Sequence, residues 1–338
     1  MKGRNGTLLI AIAALAAALA LAACGEKSED GGSEVESLGL TLDWLPNPDH
    51  AGIYVAEERG YFEDAGLDLE IQVPSDPAAP IKQVAAGRAD LAISYEPEVL
   101  LAREQGLDVV AVGAVVDEPL TSLIWLSDSG IKRLGDLREK TIANAGIPYQ
   151  SAYLRTILAR ANLAPDDVKS VNVGAGLLPA ILSGKAAAIL GGFRNIEGVE
   201  LTARGRGPTV TPVDELGVPT YDELVLVAKG ERLEEDPDAI RLFIAALARG
   251  TAAATEDPGL AIKSLLDANP ELDRRITRAE VAATLPLLEP RQGQPFGYMD
   301  PARWREFIGW MRDNDLISSL PTPDEVLSND YLPGEIPD

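Results

Sequence analysis

The chain has 338 residues, 46% of them hydrophobic, and a formal net charge of −23. The length suggests roughly two domains, and the acidity argues against nucleic-acid binding and against adhesion to anionic lipid through a basic patch. A single Cys and a single His exclude a Cys/His zinc cluster and a disulfide framework within one chain, and no nucleophile elbow, P-loop, dinucleotide fingerprint or EF-hand spacing is visible.

Lys2 and Arg4 precede an apolar run from Thr7 to Ala20, too short for a comfortable membrane span, so residues 1–23 read as a secretory signal peptide. Cys24, directly after Leu21-Ala22-Ala23, resembles the cysteine of a bacterial lipobox. That resemblance implies cleavage before Cys24, acylation of its thiol and anchoring on the outer face of the cell membrane. Residues 24–36, rich in Gly, Ser, Glu and Asp, read as a flexible tether.

A short strand, Leu38 to Leu42, opens the folded part. Pro46 and Pro48 then force an extended turn, Asp49 is a good N-cap, and a helix runs from about His50 to Arg59 before Gly60. Trp44, Asn47 and His50 thus sit where a strand end meets a helix start, the usual edge of a binding crevice in an open α/β sheet.

Strands follow at Leu67–Val73, Asp90–Ser94 and Val109–Val116, with helices at Pro77–Gly87 and Pro97–Gln105 between them. This is a repeated βα pattern with short links, as in a parallel sheet. A second series begins at Leu123–Leu126. It continues with a helical stretch Ile131–Lys140, strand Thr141–Asn144, helix Ser151–Ala161, strand Val168–Val173, helix Leu177–Ser183 and strand Ala187–Leu190. After a strand at Leu224–Ala228 the pattern is mainly helical. Two βα series followed by returning helices suggest an α/β chain in two lobes. Residues 37–120 plus 225–338 form lobe I and residues 121–224 form lobe II, with two crossings near 117–126 and 219–226.

Three stretches carry a resemblance: DWLPNPDHAGIYVAEERGYF at 43–62, DLAISYEPEVLLAREQG at 90–106 and LGGFRNIEGVEL at 190–201. The chain resembles a substrate-binding protein of an ABC importer, in the two-lobed periplasmic-binding-protein type II fold. Within that class the motifs resemble the thiamine-pyrimidine-precursor-binding (ThiY-like) family, over most of residues 37–230. The resemblance implies a non-enzymatic, monomeric protein without cofactor or metal. It would capture a small aminopyrimidine, such as formylaminopyrimidine or hydroxymethylpyrimidine, and deliver it to a permease and its ATPase. Binders of riboflavin or of sulfonate- and nitrate-type anions share the general pattern. A cytosolic pyrimidine-precursor synthase branch also shares it, with a histidine at the place of His50, but that branch carries a Cys-rich segment and this chain has only Cys24.

The candidate ligand contacts follow from chemistry and from that resemblance. Trp44 and Tyr95, at two strand ends, offer stacking faces to a flat ring. Glu197 can match an aminopyrimidine edge, which presents a donor beside an acceptor nitrogen. Asn47 donates and accepts at once. His50, at a helix start where a cation is disfavoured, is expected as a neutral imidazole. Tyr149 and Ser151 stand at a helix N-terminus of the second lobe, and Gly192, beside Gly191, allows close backbone approach.

Overall fold

The computed structural model describes residues 35–76 and 78–334. The expected signal peptide, Cys24 and the tether as far as Glu34 lie outside the described residues. Among the described residues ten strands form: β1 (Glu36–Thr41), β2 (Leu67–Gln72), β3 (Leu91–Ser94), β4 (Val109–Val116), β5 (Thr121–Leu126), β6 (Thr141–Asn144), β7 (Lys169–Asn172), β8 (Ala188–Phe193), β9 (Pro208–Pro212) and β10 (Leu224–Lys229). They make two five-stranded sheets, ordered β2-β1-β3-β10-β4 and β7-β6-β8-β5-β9.

The two sheets share one logic. In the first, β1 runs parallel to β2 and β3, while β10 is antiparallel to β3 and β4. In the second, β6 runs parallel to β7 and β8, while β5 is antiparallel to β8 and β9. The chain leaves the first sheet after β4, enters the second at β5, and returns at β10. A strand entered from the side where its parallel neighbours end must run against them, so β5 and β10 are the reversed strands. The carboxyl ends of β1, β3, β6 and β8 therefore face the gap between the sheets, where α/β sheets bind ligands.

The helices are α1 (Ala51–Glu58), α2 (Tyr61–Asp64), α3 (Pro80–Ala85), α4 (Glu96–Glu104), α5 (Gln150–Arg160), α6 (Leu177–Leu182), α7 (Glu197–Ala203), α8 (Gly230–Glu235), α9 (Pro237–Glu256), α10 (Pro258–Ala268), α11 (Arg274–Leu288), α12 (Pro301–Asp313) and α13 (Pro323–Val326). The helix α9 returns to lobe I and packs on α1 with almost no clearance. A Cβ at Gly250 would lie 2.2 Å from the Gly52 carbonyl oxygen, so only glycine lets the two backbones meet. This fixes the helix that follows the first strand-end turn.

Several local expectations differ from what forms. A 3₁₀ turn, Pro48–His50, precedes α1, and its cap is Asn47 rather than Asp49, because Asn47 Oδ1 accepts the Asp49 N–H at 2.8 Å. The helical stretch Ile131–Lys140 reduces to a 3₁₀ turn, Leu134–Leu137. Asp136 binds the backbone N–H groups of Lys132 and Arg133, and Glu139 takes a φ of 60°. Strand β9 is unexpected, since Pro208 and Pro212 bound it; at the edge of its sheet the missing N–H groups cost little.

Both crossings meet at one buried carboxyl. Glu223 Oε2 accepts from the N–H groups of Leu120 and Thr121, each at 2.7 Å, and from the Tyr221 hydroxyl at 2.9 Å. Its Oε1 accepts from the Thr121 hydroxyl at 2.9 Å. Glu223 thus ties the outgoing segment to the returning one. Beside it, Asp222 accepts from the Trp304 indole at 2.7 Å, and Glu96 accepts from the Asp222 N–H at 2.8 Å.

Burial pushes several acids up: Asp222 to about 6, Glu223 and, on α4, Glu98 to about 7, and, on α11, Glu280 to about 8. Each holds its proton more tightly folded than unfolded, so its contribution is complete at low pH and is lost as pH rises through the folded value. The melting temperature is therefore expected to fall between about pH 5 and pH 8.5, by roughly 5 °C or more. A scanning-calorimetry series that rises across this range contradicts the assignment.

Candidate functional site

The gap between the sheets holds a small cleft, partly open to solvent. Lobe I contributes Asp43, Trp44 and Asn47 from the turn after β1, and Tyr95 from the end of β3. Lobe II contributes Thr121 from the start of β5, Tyr149 from the turn after β6, Gln150 from the start of α5, and Gly191, Phe193 and Glu197 from β8 and the start of α7. Of the expected contacts, Trp44, Asn47, Tyr95, Tyr149 and Glu197 meet in this one space.

The floor on the lobe I side is a three-residue polar unit. Asp43 Oδ2 accepts from the Tyr95 hydroxyl at 2.9 Å, and Asp43 Oδ1 lies 2.8 Å from His50 Nε2. His50 Nδ1 accepts the Asn47 N–H at 3.2 Å, so Nδ1 is bare and the ring proton sits on Nε2, pointing at Asp43. Both ring nitrogens are committed, and His50 is fully buried. It stands behind the cleft wall and orients Asp43; it does not line the space.

Asn47 is at the wall, with both ends of its amide engaged locally. Oδ1 caps the 3₁₀ turn and Nδ2 donates to the Leu45 carbonyl at 3.1 Å. One N–H of that amide remains for a ligand. Tyr95 and Tyr149 face each other across the lobes, edge to face, with centroids 6.3 Å apart. Tyr149 continues into Tyr153 at 5.0 Å, and Tyr153 into Tyr221 at 5.7 Å, so an aromatic row links the cleft to the crossing segments.

Two expected residues fall elsewhere. Ser151 is exposed on the first turn of α5, where its hydroxyl donates to the Pro148 carbonyl at 3.0 Å, because the helix phase turns it outward. Gly192 is buried in β8 opposite Ser122, and a Cβ there would press on Ile189 and Ile124. The close backbone approach belongs to Gly191, with a φ of 106° and the Gln150 amide 2.3 Å from where a Cβ would stand. Asp43, Thr121 and Gln150 line the cleft without having been singled out in the sequence.

Glu197 opens α7 half-buried, and its Oε2 accepts the Phe193 N–H at 2.7 Å. Burial pushes its carboxyl up to about 7, against the pull of the Phe193 N–H. Near neutral pH it can therefore present either a carboxylate or an acid. Among the described residues no Lys or Arg lines the cleft. The space suits a flat, uncharged or weakly basic ring with donors on its edge; it is poorly suited to an anion.

The NMT1/THI5-like profile matches residues 47–261, from the capping Asn47 through both sheets. The chain belongs to the NMT1/THI5-like family. One relative, a formylaminopyrimidine-binding protein from Halalkalibacterium halodurans, is 34% identical over 323 residues, covering 94% of this chain and 97% of that one. Another, the 4-amino-5-hydroxymethyl-2-methylpyrimidine phosphate synthase THI5 of Saccharomyces cerevisiae, is 26% identical over 252 residues, covering 72% and 74%. The named relatives thus include both a binding protein and a synthase. Among solved structures, the alkanesulfonate-binding protein SsuA from Xanthomonas axonopodis pv. citri superposes with a TM-score of 0.70 at 16% identity, covering 87% of this chain and 99% of that one. That likeness is one of fold, and the fold is the two-lobed periplasmic-binding-protein type.

Proposed function

We propose that this family member is the extracytoplasmic binding component of an ABC importer. It captures a small aminopyrimidine thiamine precursor, of the formylaminopyrimidine or hydroxymethylpyrimidine class, and hands it unaltered to the permease. The carrying observation is the cleft itself: Glu197 near its neutral point, set among Trp44, Tyr95 and Tyr149 with no cation on the wall. A pyrimidine amino group beside a ring nitrogen offers a donor and an acceptor, and a half-protonated carboxyl matches both. The 34% identity to a formylaminopyrimidine-binding protein over nearly all of both chains supports the same ligand class.

The surroundings of His50 support the binder over the synthase. His50 is enclosed and spent on Asp43 and Asn47, so in this arrangement it reaches no substrate. A sulfonate ligand is disfavoured, because Asp43 and Glu197 would face its charge without a compensating Arg or Lys. The chain is proposed to act as a monomer of two hinged lobes, residues 37–120 with 225–338 and residues 121–224. It would be held at the outer face of the membrane by an acylated Cys24.

Isothermal titration of the purified protein tests the ligand class. Formylaminopyrimidine is expected to bind with one-to-one stoichiometry at about micromolar Kd or tighter, and an alkanesulfonate with no detectable heat. Binding of the sulfonate in preference to the pyrimidine rejects the reading.

A further inference from the structure

Asn195 lies in the turn between β8 and α7, on lobe II, and is buried. Its Nδ2 donates to Asp49 Oδ1 at 2.6 Å and to Thr284 Oγ1 at 2.8 Å. Asp49 belongs to the turn before α1 and Thr284 to α11, both on lobe I. One lobe II amide therefore sits in a slot made by two separate lobe I elements, beside cleft residues Asn47 and Ile196. We propose that Asn195 is a latch of the cleft, a buried side chain by which lobe II engages lobe I and which lengthens the time the two stay together.

Two acceptor atoms are left over in this slot. Asp49 Oδ2 and Asn195 Oδ1 are both buried, each without a partner among the described residues. A protonated carboxyl facing an amide satisfies both: its O–H donates to the amide carbonyl while its carbonyl accepts the amide N–H. Burial, followed by the charge of Asp43, holds the Asp49 carboxyl well above the usual range, and the charges of Glu197 and Glu223 act in the same direction. This favours the acid form of Asp49 that such a pair needs. His50, its neighbour on the same turn, is already committed to Asp43.

The rest of the seam is held more weakly. Glu280 on α11 faces Glu197 and Glu200 on α7, and these like charges add to the burial that lifts it to about 8. At the outer end of the seam Arg275 donates to the Ala203 carbonyl at 2.9 Å, an exposed contact that water replaces easily. The buried amide bridge then biases the balance between an open and a closed arrangement of the lobes.

Single-molecule energy transfer measures that balance without ligand, so it stands apart from the identity of the pyrimidine. Dyes are placed through noncanonical residues at exposed Glu70 on lobe I and exposed Lys169 on lobe II of the full chain. Asn195→Ala is expected to shift the open-to-closed ratio roughly tenfold toward open, and Thr284→Val to shift it by less. Thr284→Val keeps the side-chain volume and so serves even where Asn195→Ala folds poorly. Histograms of both variants that superimpose on the parent overturn the latch.

Discussion

Glu197→Ala is expected to weaken aminopyrimidine binding by about 1.5–3 kcal/mol, roughly 10- to 150-fold in Kd, with the melting temperature of the free protein little changed. The size follows from what the carboxyl does. It begins α7, is steadied by the Phe193 N–H at 2.7 Å, and faces the cleft half-buried. A hydrogen bond to an ionised group in such a place outweighs a neutral one. Because burial holds this carboxyl at about 7, the complex keeps one shared proton only up to that region. The affinity of the parent is therefore expected to fall about tenfold per pH unit above roughly pH 8, where that proton is gone. Glu197→Gln retains a donor and an acceptor but no charge, so it should lose less than Ala and show no such fall. Calorimetry at three pH values separates these outcomes, and an Ala variant with parental affinity removes Glu197 from the site.

Glu223→Ala is expected to cost about 3–5 kcal/mol of folding stability, read from urea melts. Two backbone N–H groups, of Leu120 and Thr121, and two hydroxyls, of Thr121 and Tyr221, converge on this one buried carboxyl. Truncation leaves all four donors in the interior without their acceptor. Glu223→Gln keeps one oxygen but turns an amide N–H₂ toward donors, so it should cost an intermediate amount. The stability of the parent carries an acid-favoured component from Glu223, complete below about pH 4.5 and lost as pH rises through about 7; the Ala variant lacks that component. A loss under about 1 kcal/mol would mean that the crossings are held by something else, such as the row from Tyr149 through Tyr153 to Tyr221.

How much of this is legible in the residues depends on whether the signal is a pattern or a direction. Runs such as Leu91–Ser94 and Val109–Val116 are buried on both faces, and such runs announce themselves as strands. Strand β9 escapes because Pro-Thr-Val-Thr-Pro reads as a turn, and only its edge position makes it a strand. At the site, Trp44, Tyr95, Tyr149 and Glu197 follow strand ends, and chemistry singles them out. Asp43 does not stand out, since an acid at a strand end reads as a solvated turn; its role appears only when Tyr95 and His50 close on it. The difference between Gly191 and Gly192 is a φ of 106°, which no composition reveals. Ser151 points outward because of a helix phase settled by packing, and Asn195 gains meaning only when Asp49 and Thr284, far away in the chain, arrive beside it.

A crystal structure of the protein with formylaminopyrimidine tests the central claim most directly. The ring is expected between the sheets against Tyr95, Tyr149 and Trp44, with its amino edge about 2.7–3.0 Å from the Glu197 carboxyl. A ring bound outside this cleft, or inside it with its amino edge turned away from both Glu197 and Asp43, would contradict the account.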